Sequence, residues 1–183
     1  MAKISEFKAQ MVQGGARPNQ FRVIVNFPTG IINGTTVAQK LQFLCHASKL
    51  PASTIENIPI SFRGRPVNFA GERTYAPWNV SIYCDNDFVV RNAFENWAHA
   101  IQNTDSTSGT QQPAKYQVDM TVQQLDRMDR VVKQYDFHDV WPAEVGEIAL
   151  DWSSNGQIET FDVQFNYNFW DSPDIQNGTL DSR

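Results

Sequence analysis

Three histidines, two cysteines and a scatter of carboxylates are the residues of this chain with the chemistry for catalysis or metal binding. His46, His99 and His138 lie far apart and share no short ligand spacing with a Cys, Asp or Glu, so no metal site is expected. No glycine-rich phosphate loop and no Gly-x-Ser-x-Gly elbow occurs. Asp85, Asp87, Asp126 and Asp129 lack the alternating ligand series ending in Glu that a calcium loop requires, and they read as caps and turns. Cys45 and Cys84 sit in apolar, strand-like runs and read as buried free thiols. No base, nucleophile and orienting group come together in this pattern, so an enzyme is the weakest reading. No catalytic residue and no cofactor is expected.

Two other patterns suit recognition better than catalysis. The first is a basic cluster in an irregular stretch, Lys49, Arg63, Arg65 and Arg73, with Glu56 and Glu72 interspersed. Alone it reads as a solvated loop. In an assembly it can meet an acidic rim, because the guanidinium fork matches a carboxylate with two parallel hydrogen bonds. The second is the run Thr160, Asp162, Gln164, Asn166 and Asn168, which alternates with Phe161, Val163, Phe165, Tyr167 and Phe169. Its polar side has one acid and no base. That side reads either as a solvent-exposed sheet face or as the wall of a water-filled channel past which a polyanion slides without sticking.

The elements that must carry these patterns are mostly strands. Residues 2–12 have weak helical spacing at Ile4, Phe7 and Met11. Phe21, Val23, Val25 and Phe27 alternate as in a half-buried strand. Residues 28–39, with an Asn33-Gly34 pair, read as a hairpin loop, and 40–47 as a second strand with Leu41, Phe43 and Cys45 inward. Residues 48–75 hold three prolines and read as a long excursion with short β pieces over 54–62 and 66–69. Residues 76–84 alternate cleanly and end at Asp85-Asn86-Asp87, which is N-cap material.

Residues 88–103 form the one convincing helix, with Val90, Phe94, Trp97 and Ile101 in a single stripe and Arg91 paired to Glu95. After a polar loop over 104–113, strands are expected over 116–125 and 130–140. Ile148, Leu150 and Trp152 share a face before a hairpin turn at 153–156. The last strand runs through Phe169. Strands joined by hairpin-like links around one helix predict a mainly β fold, an antiparallel β-sandwich or barrel-like subunit with one flanking α-helix.

The totals agree with this. One domain over 1–183 is expected, with an N-terminal arm at 1–17, the excursion at 48–75 and a polar tail at 171–183. Net charge is −5, which disfavours DNA binding by counterion release. No apolar run is long enough for a transmembrane helix.

The order and spacing of several short runs resemble one family. They are Ala16-Arg17-Pro18-Asn19-Gln20-Phe21, Lys49-Leu50-Pro51-Ala52-Ser53-Thr54-Ile55-Glu56, Phe62-Arg63-Gly64-Arg65 and Ala70-Gly71-Glu72-Arg73-Thr74-Tyr75 with Trp78. Phe94-Glu95-Asn96-Trp97, Trp141-Pro142, Val145-Gly146-Glu147-Ile148, Leu150-Asp151-Trp152 and the aromatic strand ending at Trp170 follow. The series resembles the tail tube protein of contractile-tailed bacteriophages, from about Ala16 to Trp170.

That resemblance implies a structural subunit whose hexameric rings join their inner sheets into one barrel. The rings stack into a tube inside the sheath. It implies partners: further copies of the chain, the tail sheath protein, a tape-measure protein in the lumen, the baseplate tube initiator and the tail terminator. DNA would pass through without sequence-specific binding on its way into the host, and assembly would precede in the bacterial cytoplasm. On this reading the basic cluster supplies ring stacking and the polar side of the last strand faces the lumen. The tube initiator itself and the tube of a genome-free injection particle are alternatives within the class. A small-ligand-binding β-barrel is the alternative outside it.

Overall fold

A computed structural model describes residues 3–11, 15–104, 106, 108–110 and 112–174. The outer part of the expected polar tail, 175–183, lies outside the described residues. The elements run α1 (Ile4–Gln10), β1 (Phe21–Ile24), α2 (Gly34–Leu44), β2 (Cys45–Ser48), β3 (Ser53–Phe62), β4 (Arg65–Tyr75), β5 (Trp78–Tyr83) and α3 (Val89–Ile101). A 3-10 turn at Pro113–Lys115 leads to β6 (Val118–Leu125), β7 (Val131–Val145), β8 (Thr160–Asn166) and β9 (Phe169–Asp171). The fold is mainly β and antiparallel, as the alternation of the sequence predicts.

Seven strands form one sheet in the order β1-β6-β7-β8-β5-β2, with β9 paired to β7. The long β7 holds it together. Its first part pairs β6 and β9, and its end pairs β8. A register shift between Pro142 and Glu144, and a left-handed Asp139 (φ 58°), mark where it changes partners. Asn168 fastens this place: its side-chain amide donates to Asp139 Oδ2 at 2.8 Å, and its N–H donates to the His138 carbonyl at 3.1 Å.

Alternation decides which side of the sheet is dry. Trp78, Val80 and Ile82 of β5 pair with Phe165, Val163 and Phe161 of β8, and all six are buried. Met120, Val122 and Phe137 join them from β6 and β7. Trp78 stacks on Phe137 with centroids 4.4 Å apart. Helix α3 lays Val90, Ala93, Phe94 and Trp97 against this face, and Phe94 meets Phe165 edge-on at 5.8 Å. Arg91 bonds Glu95 at 2.8 Å, as its spacing predicts, and also reaches the Gly146 carbonyl at 3.0 Å. The interior, where a barrel ligand would sit, is occupied by these aromatic rings.

Several expectations are corrected. Residues 34–44 form a helix rather than a loop and the start of a strand. Val37 and Leu41, one turn apart, are buried, whereas Phe43 is 86% exposed. Leu41-x-Phe43-x-Cys45 fits a strand by alternation, but the stripe through Val37 and Leu41 fits a helix that packs on α3, and packing decides. Helix α2 is therefore an addition to the helix expected over 88–103, while α1 falls in 2–12, where the spacing was weakly helical.

Asp85 and Asp87 do not cap α3. The N-cap position is Phe88, in the left-handed region (φ 50°), and both carboxylates face the Lys40 ammonium of α2. Residues 148–152 form no strand. They belong to a loop, 146–159, joining β7 to β8, and Asp151 closes its own turn by accepting from the Ser153 N–H at 2.9 Å. The last strand breaks after Asn166, so Phe169 turns outward onto His138 while Trp170 packs against Tyr135. Cys45 is a buried free thiol, pushed up to about 12 by burial, and Cys84 is half-buried and free.

The helix assignment has a direct test. Leu41→Ala should cost about 2–5 kcal/mol, as for a truncated core leucine, while Phe43→Ala should stay within about 0.5 kcal/mol. Equal losses on denaturant unfolding would mean that 40–47 is the strand that alternation suggested.

Candidate assembly surfaces

Strands β3 and β4 form a separate two-stranded sheet, registered from Ser53↔Tyr75 at its root to Phe62↔Arg65 at its tip. Nine residue steps carry it roughly 30 Å from the root. The short β pieces expected over 54–62 and 66–69 are thus two paired strands, the second longer than expected, and most of 48–75 is regular. The chain reverses at Arg63-Gly64, where both residues have positive φ (48° and 80°), as a tight two-residue hairpin turn demands.

Every residue of β3 is exposed, and in β4 only Gly71 and Tyr75 are not. Tyr75 anchors the root against Tyr167 and Trp170 at 6.0 and 6.4 Å. The ribbon is nonetheless amphipathic. Ile58 lies opposite Phe69 and Ile60 opposite Val67, and Phe62 continues the same face. Arg63 covers the Phe62 ring at 5.4 Å. A Cβ on Gly71 would come within 3.1 Å of Ile58 Cγ1, so glycine lets that isoleucine lie down.

The basic cluster is thus divided by the structure. Arg63 and Arg65 flank the tip, and Arg73 lies near the root opposite Ile55. Glu56 occupies the register shift between Ile55 and Asn57, with Glu72 close by on the facing strand. Lys49 is not on the ribbon. It precedes it, and its carbonyl accepts from Trp78 Nε1 at 2.9 Å. None of the six forms an ion pair within the subunit among the described residues, so their charges are available to a neighbour.

The second surface is the wet side of the sheet. Thr160, Asp162 and Gln164 of β8 lie opposite Tyr83, Ser81 and Asn79 of β5, and Asn166 lies opposite Trp141 of β7. Ser81 Oγ donates to Asp162 Oδ1. Lys49, Asn79, Ser81, Glu144, Asp162 and Gln164 line an open polar cleft of about 400 Å³. Asn168 does not continue this row, because β8 has ended and its amide is spent on Asp139.

Sequence reading missed Glu144, since 141–145 was not assigned to a strand, and it missed that Lys49 joins this face. The alternation of Asn79 and Ser81 was the available signal for their side. Gly146 is required here: its N–H donates to the Asp162 carbonyl at 2.7 Å, and a Cβ would stand 2.8 Å from that oxygen.

The histidines stay apart: His46 lies against Tyr83, His99 sits in the last turn of α3, and His138 lies between Asp119 and Asp171. No group of three or more His, Cys, Asp or Glu among the described residues is placed to hold a metal. No helix among them is long and apolar enough to cross a membrane. These surfaces offer hydrogen bonds, fixed charge and apolar area, which is the chemistry of contact.

Comparison with known proteins agrees with that character. Residues 16–172 match the phage tail tube protein family. The chain is 35% identical over 159 residues to tail tube protein gp19 of Enterobacteria phage T4, covering 85% of this chain and 91% of that protein. Its fold resembles a chain in the cryo-EM structure of the anti-feeding prophage baseplate, with a TM-score of 0.63, 13% identity, and 86% and 95% of the two chains covered. It also resembles a chain in the sheath–tube complex of an extracellular contractile injection system, with a TM-score of 0.56, 11% identity, and 94% and 99% covered.

The exposed ribbon predicts a proteolytic order. Trypsin acting on isolated subunits should cut first after Arg63, because Pro66 protects the bond after Arg65, and leave the seven-stranded body whole. First cuts at Arg91 or Lys133 would show that the ribbon is covered.

Proposed function

The chain belongs to the phage tail tube protein family, and we propose that it works as a non-enzymatic subunit whose hexameric rings stack through the β3–β4 ribbon into the inner tube of a contractile tail. The observation that carries this reading is the ribbon itself. A lone two-stranded hairpin is marginal in water, and this one holds five large apolar side chains on a face its own subunit does not cover. A second copy supplies that cover wherever the subunit goes.

Ring closure has its own basis. The sheet ends in two edges, β1 and β2, each with one side unpaired among the described residues. Joining such edges around a ring removes them and continues the sheet into a barrel. The contact is head-to-tail, and closes if its rotation does. The wet face through Asp162, Gln164 and Asn166 then lines the lumen. Two acids and one lysine around its cleft leave it weakly negative, so DNA passes without being held.

In the virion this tube lies inside the sheath. It starts on the baseplate tube initiator, ends at the terminator and encloses the tape-measure protein during assembly in the host cytoplasm. The family relatives, and the chains of similar fold in solved baseplate and sheath–tube assemblies, support the tube, sheath and baseplate part of this arrangement by analogy.

Purified protein viewed by negative-stain electron microscopy over a concentration series should give hollow rings or tubes of uniform width. Arg63→Glu with Arg73→Glu should abolish tubes while leaving thermal unfolding of the subunit unchanged. Tubes of normal length from that variant would remove the stacking role of the ribbon.

A further inference from the structure

The two ends of the wet sheet are chemically unlike. The ribbon leaves the body next to Trp78, which pairs with Phe165 at one end of the β5–β8 ladder. The 146–159 loop leaves at the other end, where Tyr83 pairs with Thr160 and Cys84 N–H donates to the Glu159 carbonyl at 2.8 Å. The ends are roughly 17 Å apart along the strands.

The loop exposes Leu150, Ile158 and the whole of Trp152 (103%), around an open cleft of about 620 Å³. Its charges are Glu147, Asp151 and Glu159, with no Lys or Arg. The outer part of the ribbon, 57–71, is the converse: Arg63 and Arg65 with no acid, beside Ile58, Ile60, Phe62, Val67 and Phe69.

We propose that the 146–159 loop is the receiving surface for the ribbon of the next copy along the tube, with Trp152 as its apolar anchor and Glu147, Asp151 and Glu159 as partners for Arg63 and Arg65. The proposal rests on the reading that the ribbon makes the ring-to-ring contact, and it names what the ribbon meets. Donor and receiver at opposite ends of one subunit make a heterologous contact that propagates along the strand direction instead of closing. A tryptophan flanked by charge and wholly in water is costly for a free subunit. In a covered centre it is the kind of side chain that carries binding energy. Asp151 is set for the role: the Ser153 N–H and hydroxyl both donate to its carboxyl and hold it below the usual carboxylate range. It therefore stays charged at neutral pH, ready for an arginine.

The test compares tube growth, by electron microscopy and sedimentation, for four variants with unchanged thermal unfolding. Trp152→Ala should raise the protein concentration needed for tubes by about tenfold or more. Arg63→Glu with Arg65→Glu should block growth, as should Glu147→Arg with Glu159→Arg, and the combination of all four changes should restore it. If the ribbon variant is blocked but Trp152→Ala grows normally, or the combination stays blocked, the loop is not the receiver and the ribbon's stacking role stands. If the ribbon variant grows normally, the stacking role falls and the proposal with it.

Discussion

Ile58, Ile60, Phe62, Val67 and Phe69 stand on one face of a ribbon that reaches away from its own subunit, and all five are exposed there. Burial of apolar area is the main favourable term in folding and association. The subunit uses that term twice. Inside, it fuses two helices to the seven-stranded sheet through Phe94, Trp97, Phe137 and Phe165. Outside, it leaves five large apolar side chains of the ribbon exposed, and the proposed stacking contact would bury them.

The body's role is to set the direction of that surface. β7 ties both parts of the sheet together, and its kink at Asp139 is fastened by Asn168. Trp78 stacks on Phe137 across the core while its indole N–H donates to the Lys49 carbonyl and the Ser48 hydroxyl. One side chain therefore joins the dry core to the chain segment that enters the ribbon. Tyr75, packed on Tyr167 and Trp170, fixes the other leg. The ribbon's root is packed among aromatic rings, and its tip is charged and exposed.

Much of this was legible in the sequence where one period ruled. Phe161, Val163 and Phe165 announced β8, and Val90, Phe94 and Trp97 announced α3, because each pattern has a single reading. Leu41, Phe43 and Cys45 fit two periods, and only the packing of Val37 and Leu41 against α3 chose the helix. The ribbon was legible only as short β pieces over 54–62 and 66–69, because Pro59, Pro66 and Gly71 read as breakers. A two-stranded ribbon has a free outer edge on each strand and tolerates residues that a central strand does not. Asp85 and Asp87 looked like caps and instead answer Lys40, a partner 45 residues away that no local pattern reveals. Among the surface residues, the alternation placed Asp162 and Gln164 correctly on the wet face, while Lys49 and Glu144 came to that face through tertiary pairing alone.

Two proposed directions decide the assembly: the wet face of β5 and β8 toward a central channel, and the ribbon toward the neighbouring ring. A cryo-EM map of tubes assembled from this chain, resolved to side chains, tests both at once. Asp162 and Gln164 should stand on the channel wall, and Phe62 should be buried against another copy. A map with that face turned toward the outside of the tube, or with the ribbon folded back on its own subunit, would contradict this assembly.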